Sequence, residues 1–125
     1  MTERVEFKLT NISDLSEQYD VVIIGAGSTG LTSALELTEL GKKVVVLEKM
    51  EKPGGNSMLA SSGMNAAETA IQRREGIIDS YQSFYDDTYN GGGKQNDVEM
   101  LKYFASHADS AVEWLKEHDV VLDEI

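Results

Sequence analysis

Apolar and polar positions along the chain change their period several times. Val5, Phe7 and Leu9 alternate with Glu6 and Lys8, so a short half-buried strand is expected there. Asn11 to Glu17 is polar and turn-like. Val21 to Ile24 is an unbroken β-branched run that stops at glycine, the pattern of a buried parallel strand. Leu31, Ala34, Leu35 and Leu37 to Leu40 then supply a helical apolar face, and Gly41 stands where a left-handed C-terminal cap is expected. Lys43 to Glu48 reads K-V-V-V-L-E, a second buried strand. Together these residues predict one right-handed β-α-β unit of about thirty residues.

Beyond it, Lys49 to Asn65 is a loop rich in Gly, Ser and Asn. A helix is expected over Ala66 to Arg74, ending before Gly76. Another is capped by Asp79-Ser80 and runs through Tyr89, closed by Asn90-Gly91-Gly92-Gly93. Asn96 or Asp97 caps a third, in which Val98, Leu101, Phe104, Ala108, Val112 and Leu115 recur at spacings of three and four. A break is expected near Ser106-His107, and Val120 to Leu122 begins a strand or turn. The organisation is an N-terminal extension over 1–18, the β-α-β unit and its loop over 19–65, and a helical segment of the same domain over 66–125. The fold class is α/β, with a Rossmann-like dinucleotide-binding unit. Two clear parallel strands and at most one more fall short of the five or six in an ordinary sheet, so the chain reads as the front of a larger domain.

Composition narrows the chemistry. The net charge of -11 disfavours nucleic acid and anionic membrane surfaces as partners. With no cysteine in the chain, disulfides, Cys-ligated iron–sulfur clusters, thioether-linked haem and cysteine catalysis are excluded within it. The first residues, M-T-E-R-V-E-F-K-L-T, lack the apolar core of a secretory signal, and no apolar run is long enough for a membrane span. A cytoplasmic location is the expectation.

Gly25, Gly27 and Gly30 form G-x-G-x-x-G directly after a strand and at the opening of a helix. In that setting the first glycine permits a tight turn, the second lets backbone approach a pyrophosphate, and the third lets helix and strand pack closely. The pyrophosphate then sits at a helix N-terminus, where unpaired N–H groups and the positive dipole end favour anions. Ser28 and Thr29 add hydroxyl donors. Glu48, at the end of the second strand, is placed to accept hydrogen bonds from adenosine ribose hydroxyls and to disfavour a 2′-phosphate. This fingerprint serves NAD and FAD alike.

A second motif, P-G-G-N-S-M-L-A-S-S-G-M-N over Pro53 to Asn65, separates them. Together with V-V-I-I-G-A-G, V-V-V-L-E-K, G-M-N-A-A, D-D-T before a glycine-rich loop and the S-H-x-x-S-A-V-E-W-L run from Ser106, it resembles the flavoprotein of the fumarate reductase/succinate dehydrogenase family. The likeness is to its soluble flavocytochrome c and urocanate-reductase-like branch, and runs from Tyr19 loosely to about Asp123. The resemblance implies an incomplete FAD-binding domain. It implies that Gly25, Gly27 and Gly30, with Ser28, hold the FAD pyrophosphate, and that Glu48 holds the ribose, with Lys49 alongside. Gly55, Asn56 and Ser57 would line the pyrophosphate and ribityl chain, and Gly63, Met64 and Asn65 would approach the isoalloxazine ring. Small residues at Gly54, Gly55, Ala60, Ser61, Ser62 and Gly63 suit close approach to a planar ring. Where the family often has two glycines before Met-Asn, this chain has Ser62 first.

The activity so implied is hydride transfer between FAD N5 and the C=C bond of a small dicarboxylate or other enoate, such as fumarate/succinate. The family's substrate-clamping residues come later in sequence, so no catalytic residue is assigned and the piece alone is expected not to be catalytically competent. Two other readings stand: a free-standing FAD- or NAD-binding module, and a non-binding remnant acting as an interaction protein. Self-association through an unpaired sheet edge fits either. Lesser signals yield to plainer readings. Gly91-Gly92-Gly93-Lys94-Gln95 lacks the first glycine and the Ser/Thr of a Walker A loop and is a turn. Asp86-Asp87 reads as a solvated helix face, His107 and His118 as structural histidines, and Trp114 as a packing anchor.

Overall fold

The computed structural model describes residues 5–60, 63–120, 122, 124 and 125. The chain forms two compact units, Met1–Ser61 and Ser62–Ile125.

In the first unit, strands β1 (Val21–Ile24) and β2 (Val44–Leu47) pair in parallel, with Val21 opposite Val44 and Ile24 opposite Leu47. Helix α1 (Ser28–Glu39) connects them and packs on both. The strand entries are tied together: Asp20 N–H donates to the Lys43 carbonyl at 2.9 Å, and Lys43 N–H donates back to Asp20 Oδ2 at 2.7 Å. Lys43 Nζ also lies 4.9 Å from the centre of the Tyr19 ring, a cation–π contact. Helix α1 ends as its sequence requires. Gly41 takes φ +74°, and Lys42 N–H reaches back to the Leu37 carbonyl at 2.9 Å, satisfying an otherwise orphaned acceptor.

Along β1, burial alternates. Ile23 is partly covered, whereas Val22 and Ile24 are 54% and 88% exposed. The run was expected to be buried on both faces; among the described residues only one face is covered, by α1. The expected strand at Val5 to Leu9 is also not formed. The sheet of the described residues has two strands, and Phe7 and Leu9 stand 49% and 81% exposed. Alternation specifies a strand only where its apolar side has a surface to pack on, and these side chains have none. The polar stretch after it holds a short 3-10 turn at Ile12–Asp14, and the loop after β2 holds another at Gly55–Leu59. Ser61 and Ser62 lie outside the described residues.

The second unit contains α2 (Ala70–Arg74), α3 (Tyr81–Gly91) and α4 (Val98–Glu117). Helices α3 and α4 pack together, with the Phe84 and Phe104 rings 5.5 Å apart. Leu101, Ala105, Ala108 and Val112 are the buried residues of α4, at helical spacing. Asp97, not Asn96, is its cap, accepting Met100 N–H at 2.9 Å. The expected break at Ser106-His107 is absent: Ser106 Oγ donates to the Lys102 and Tyr103 carbonyls, so its polar group is satisfied within a continuous helix. Helix α4 closes with Val120 N–H on the Leu115 carbonyl, the same closure as α1, here with Asp119 in the left-handed position. Val121, in the expected final strand or turn, lies outside the described residues. No described helix is long and apolar enough to cross a membrane.

Helix α2 begins four residues later than expected because Thr69 caps it. The Thr69 hydroxyl accepts Gln72 N–H at 3.1 Å, while Gln72 Oε1 accepts Thr69 N–H at 2.9 Å, a reciprocal capping box. Glu68, just outside, adopts φ +59° and so cannot continue the helix; its carboxylate accepts Tyr81 N–H at the start of α3. Gln72 Nε2 donates to Asp79 Oδ2 at 2.8 Å, joining the same linkage. Replacing Thr69 by Ala is expected to cost about 1 kcal/mol of stability, and Thr69→Ser to retain most of it, as read by urea unfolding. An unchanged midpoint for Thr69→Ala would show that the box contributes nothing.

Candidate functional site

The first glycine motif becomes a built turn in the fold. Gly25 N–H continues the ladder to the Leu47 carbonyl at 2.7 Å, and φ +101° at Gly25 then turns the chain out of the sheet. Gly27 is the extended residue before α1, and no side chain caps the helix there. The first amides of α1 are therefore left for an external acceptor, with the positive end of the helix dipole behind them. Gly30 packs against the turn: a Cβ on it would lie 1.9 Å from the Gly25 carbonyl oxygen and 3.3 Å from Ile23 Cγ2. No residue but glycine fits. At Gly27, by contrast, a Cβ would meet nothing within 4 Å.

The second glycine motif is stitched onto the first. Gly54 N–H donates to the Ala26 carbonyl at 2.7 Å, and Ser57 Oγ donates to Ser28 Oγ at 3.0 Å. A Cβ on Gly55 would come 3.5 Å from Gly27 Cα, which measures how near the two loops lie. Between them and the end of β1 opens a hollow of about 480 Å³, lined by Gly25, Gly27, Ser28, Thr29, Gly30 and Ser57, with Ser33 one turn further along α1.

Glu48 reaches this turn from the end of β2. Its Oε2 accepts Ala26 N–H at 2.8 Å and its Oε1 accepts Met50 N–H at 2.8 Å. Those amide donors, Ala26 first and Met50 next, hold the carboxyl below its ordinary value, with the backbone and charge of Lys49 acting in the same sense.

Of the residues expected from sequence, the structure thus brings together Gly25, Gly27, Ser28, Gly30, Glu48, Gly55 and Ser57. Asn56 lies in the same 3-10 turn and Lys49 directly follows Glu48, both exposed. Gly63, Met64 and Asn65 form an exposed irregular segment of the second unit. Sequence reading missed Ala26, which is buried and bonded through both backbone groups, and Ser33. The helical spacing of Ser33 from Thr29 was the available signal for the latter. A smaller hollow of about 320 Å³ between α3 and α4 contains Tyr81, Tyr85, Lys102 and Ser106. Its cation is already bonded to Glu99 at 3.0 Å, and no row of uncapped amides faces it, so it is poorly equipped to hold a pyrophosphate.

Comparison with known proteins agrees with this geometry. The profile of the FAD binding domain family matches residues 20–124. The NADH:fumarate oxidoreductase of Klebsiella pneumoniae (strain 342) is 43% identical over 109 residues, which are 87% of this chain and 12% of that protein. The urocanate reductase of Eggerthella lenta is 37% identical over 101 residues, 81% of this chain and 17% of its own length. Among solved structures, the open conformation of a flavocytochrome c3 fumarate reductase superposes with a TM-score of 0.79 at 34% identity, covering 90% of this chain and 20% of that one. The chain therefore spans a fifth or less of these relatives. Its glycine turn, its second glycine loop and this match over most of its length lead to one conclusion: the chain belongs to the FAD binding domain family, among the relatives of fumarate and urocanate reductases, and its cofactor is FAD.

Proposed function

We propose that this chain is the Rossmann-like, FAD-binding front of a flavin-dependent oxidoreductase that acts on the C=C bond of a small enoate or dicarboxylate. The observation that carries the reading is the uncapped start of α1 opening on a hollow whose far wall is the second glycine loop. The residues present fit the cofactor. The space beside Gly27 is open where a pyrophosphate oxygen must approach backbone, and hydroxyls of Ser28, Thr29 and Ser57 border it. In this reading Gly25, Gly27, Ser28 and Gly30 hold the pyrophosphate, and Glu48 takes the ribose hydroxyls with Lys49 beside it. Gly55, Asn56 and Ser57 follow the pyrophosphate and ribityl chain, and Gly63, Met64 and Asn65 serve the isoalloxazine ring.

Bound FAD supplies hydride exchange at N5, which no side chain of this chain can supply. The protein's part here is to bind and orient. Its backbone donors are fixed before the ligand arrives, so little ordering is required on binding. No arginine or histidine lines the hollow, and the groups that hold an enoate and move its proton are assigned to a longer protein. The names of the relatives, which include fumarate and urocanate reductases, support the enoate class.

Titration of the purified chain with FAD and with NAD, followed by flavin fluorescence and thermal stability, is expected to give FAD binding and no NAD response. NAD binding without FAD would overturn the flavin assignment; binding of neither would place the minimum flavin site in a longer protein. Two glycine variants separate folding from binding. Gly30→Ala is expected to lower the melting temperature and abolish binding together, because its Cβ collides with backbone. Gly27→Ala is expected to leave stability within about 0.5 kcal/mol of wild type while weakening FAD binding at least about tenfold. A Gly27→Ala protein that binds FAD normally would remove the pyrophosphate from this turn.

A further inference from the structure

Ala26 is the residue between the two glycines of the turn, and it is held from both of its backbone groups. Its N–H donates to Glu48 Oε2 at 2.8 Å, across 22 residues of sequence. Its carbonyl accepts Gly54 N–H at 2.7 Å. It is only 3% exposed, and it does not line the hollow although Gly25 and Gly27 on either side of it do. A turn flanked by two glycines has wide conformational freedom, and a buried amide without an acceptor is costly. Some group has to answer both problems, and the carboxylate of Glu48 does.

We propose that Glu48 is a positioning residue for the glycine turn. By accepting Ala26 N–H with one oxygen and Met50 N–H with the other, it clamps the end of β2 to the start of the turn. The clamp fixes Gly25 to Gly27 in the shape that presents the first amides of α1 to the hollow. It also withdraws Ala26 N–H from the anion donors, so a bound diphosphate is met by the amides from Gly27 onward. This role rests on reading the hollow as the pyrophosphate site, and it is separate from any bond between Glu48 and a ribose hydroxyl. A carboxylate suits it because two acceptor oxygens face two N–H groups. Glutamine has one such oxygen and would turn an NH2 group toward one of the donors. Aspartate is one methylene too short to reach both.

The test uses the full 125-residue chain, isotope-labelled, as wild type, E48Q and E48D. Amide hydrogen exchange without ligand reads the clamp directly. Ala26 is expected to be protected in wild type and to exchange about ten- to a hundredfold faster in both variants, while Ile23 and Val45, whose N–H groups lie in the β1–β2 ladder, keep their protection. Unchanged Ala26 exchange in either variant would overturn the proposal. So would a loss shared equally by Ile23 and Val45 in both variants, since that marks general loosening of the unit. Binding is then compared for ADP and 2′,3′-dideoxy-ADP. The variants are expected to weaken both, because the turn is altered whichever sugar is present, with the lost ribose bond adding to the loss for ADP. A loss confined to ADP would make Glu48 a ribose acceptor and nothing more. If neither nucleotide binds any form, the reading of the hollow fails, and the exchange data still decide whether the clamp exists.

Discussion

Helix α1 can start where it does only because residue 30 has no side chain. The Gly25 carbonyl occupies the place a Cβ would take, at 1.9 Å, and that contact sets how closely the helix approaches β1. A wider approach would carry the first amides of α1 away from the turn and pull the turn off the second glycine loop. The helix is thus placed by a steric absence, not by a favourable bond. Attractive terms act afterwards: the ladder extension at Gly25, the packing of α1 on both strands and the tie between Gly54 and Ala26.

Charge is handled with similar economy. A chain of net charge -11 has to hold a doubly charged diphosphate without relying on its overall field. In the proposed reading it does so with backbone donors, whose partial charges act over short range and are indifferent to distant carboxylates. The one acidic group at the turn, Glu48, spends its charge on amides of Ala26 and Met50. Its negative potential is therefore partly neutralised where an anion would otherwise feel it.

The β-α-β unit was legible because everything that defines it is local. Two β-branched runs, a helical apolar face and Gly41 each act on their immediate neighbours, and all appear where expected. Elements that depend on a distant or side-chain partner were not legible. The Val5–Leu9 alternation is a genuine strand pattern without a surface to pack on. The start of α2 depends on a Thr69–Gln72 exchange of bonds and on the backbone of Glu68, which composition does not reveal. Continuity through Ser106 depends on hydroxyl bonds to its own helix. At the site, the glycines were readable from spacing, since steric demands leave a mark on residue type. Ala26 was not, because its contribution is made by backbone groups that every residue possesses.

Every group gathered around the larger hollow, from Ile23 to Ser57, belongs to one continuous stretch of chain. Sites assembled from remote segments are lost when any one contributor is rearranged. Here the geometry is carried as a block, so recombination that moves this stretch into a new gene moves the cradle with it. What must be reinvented is the cover for Val22 and Ile24, and that asks only for apolar surface of suitable shape. The demanding half of the architecture is heritable as a unit, while its complement is free to diversify.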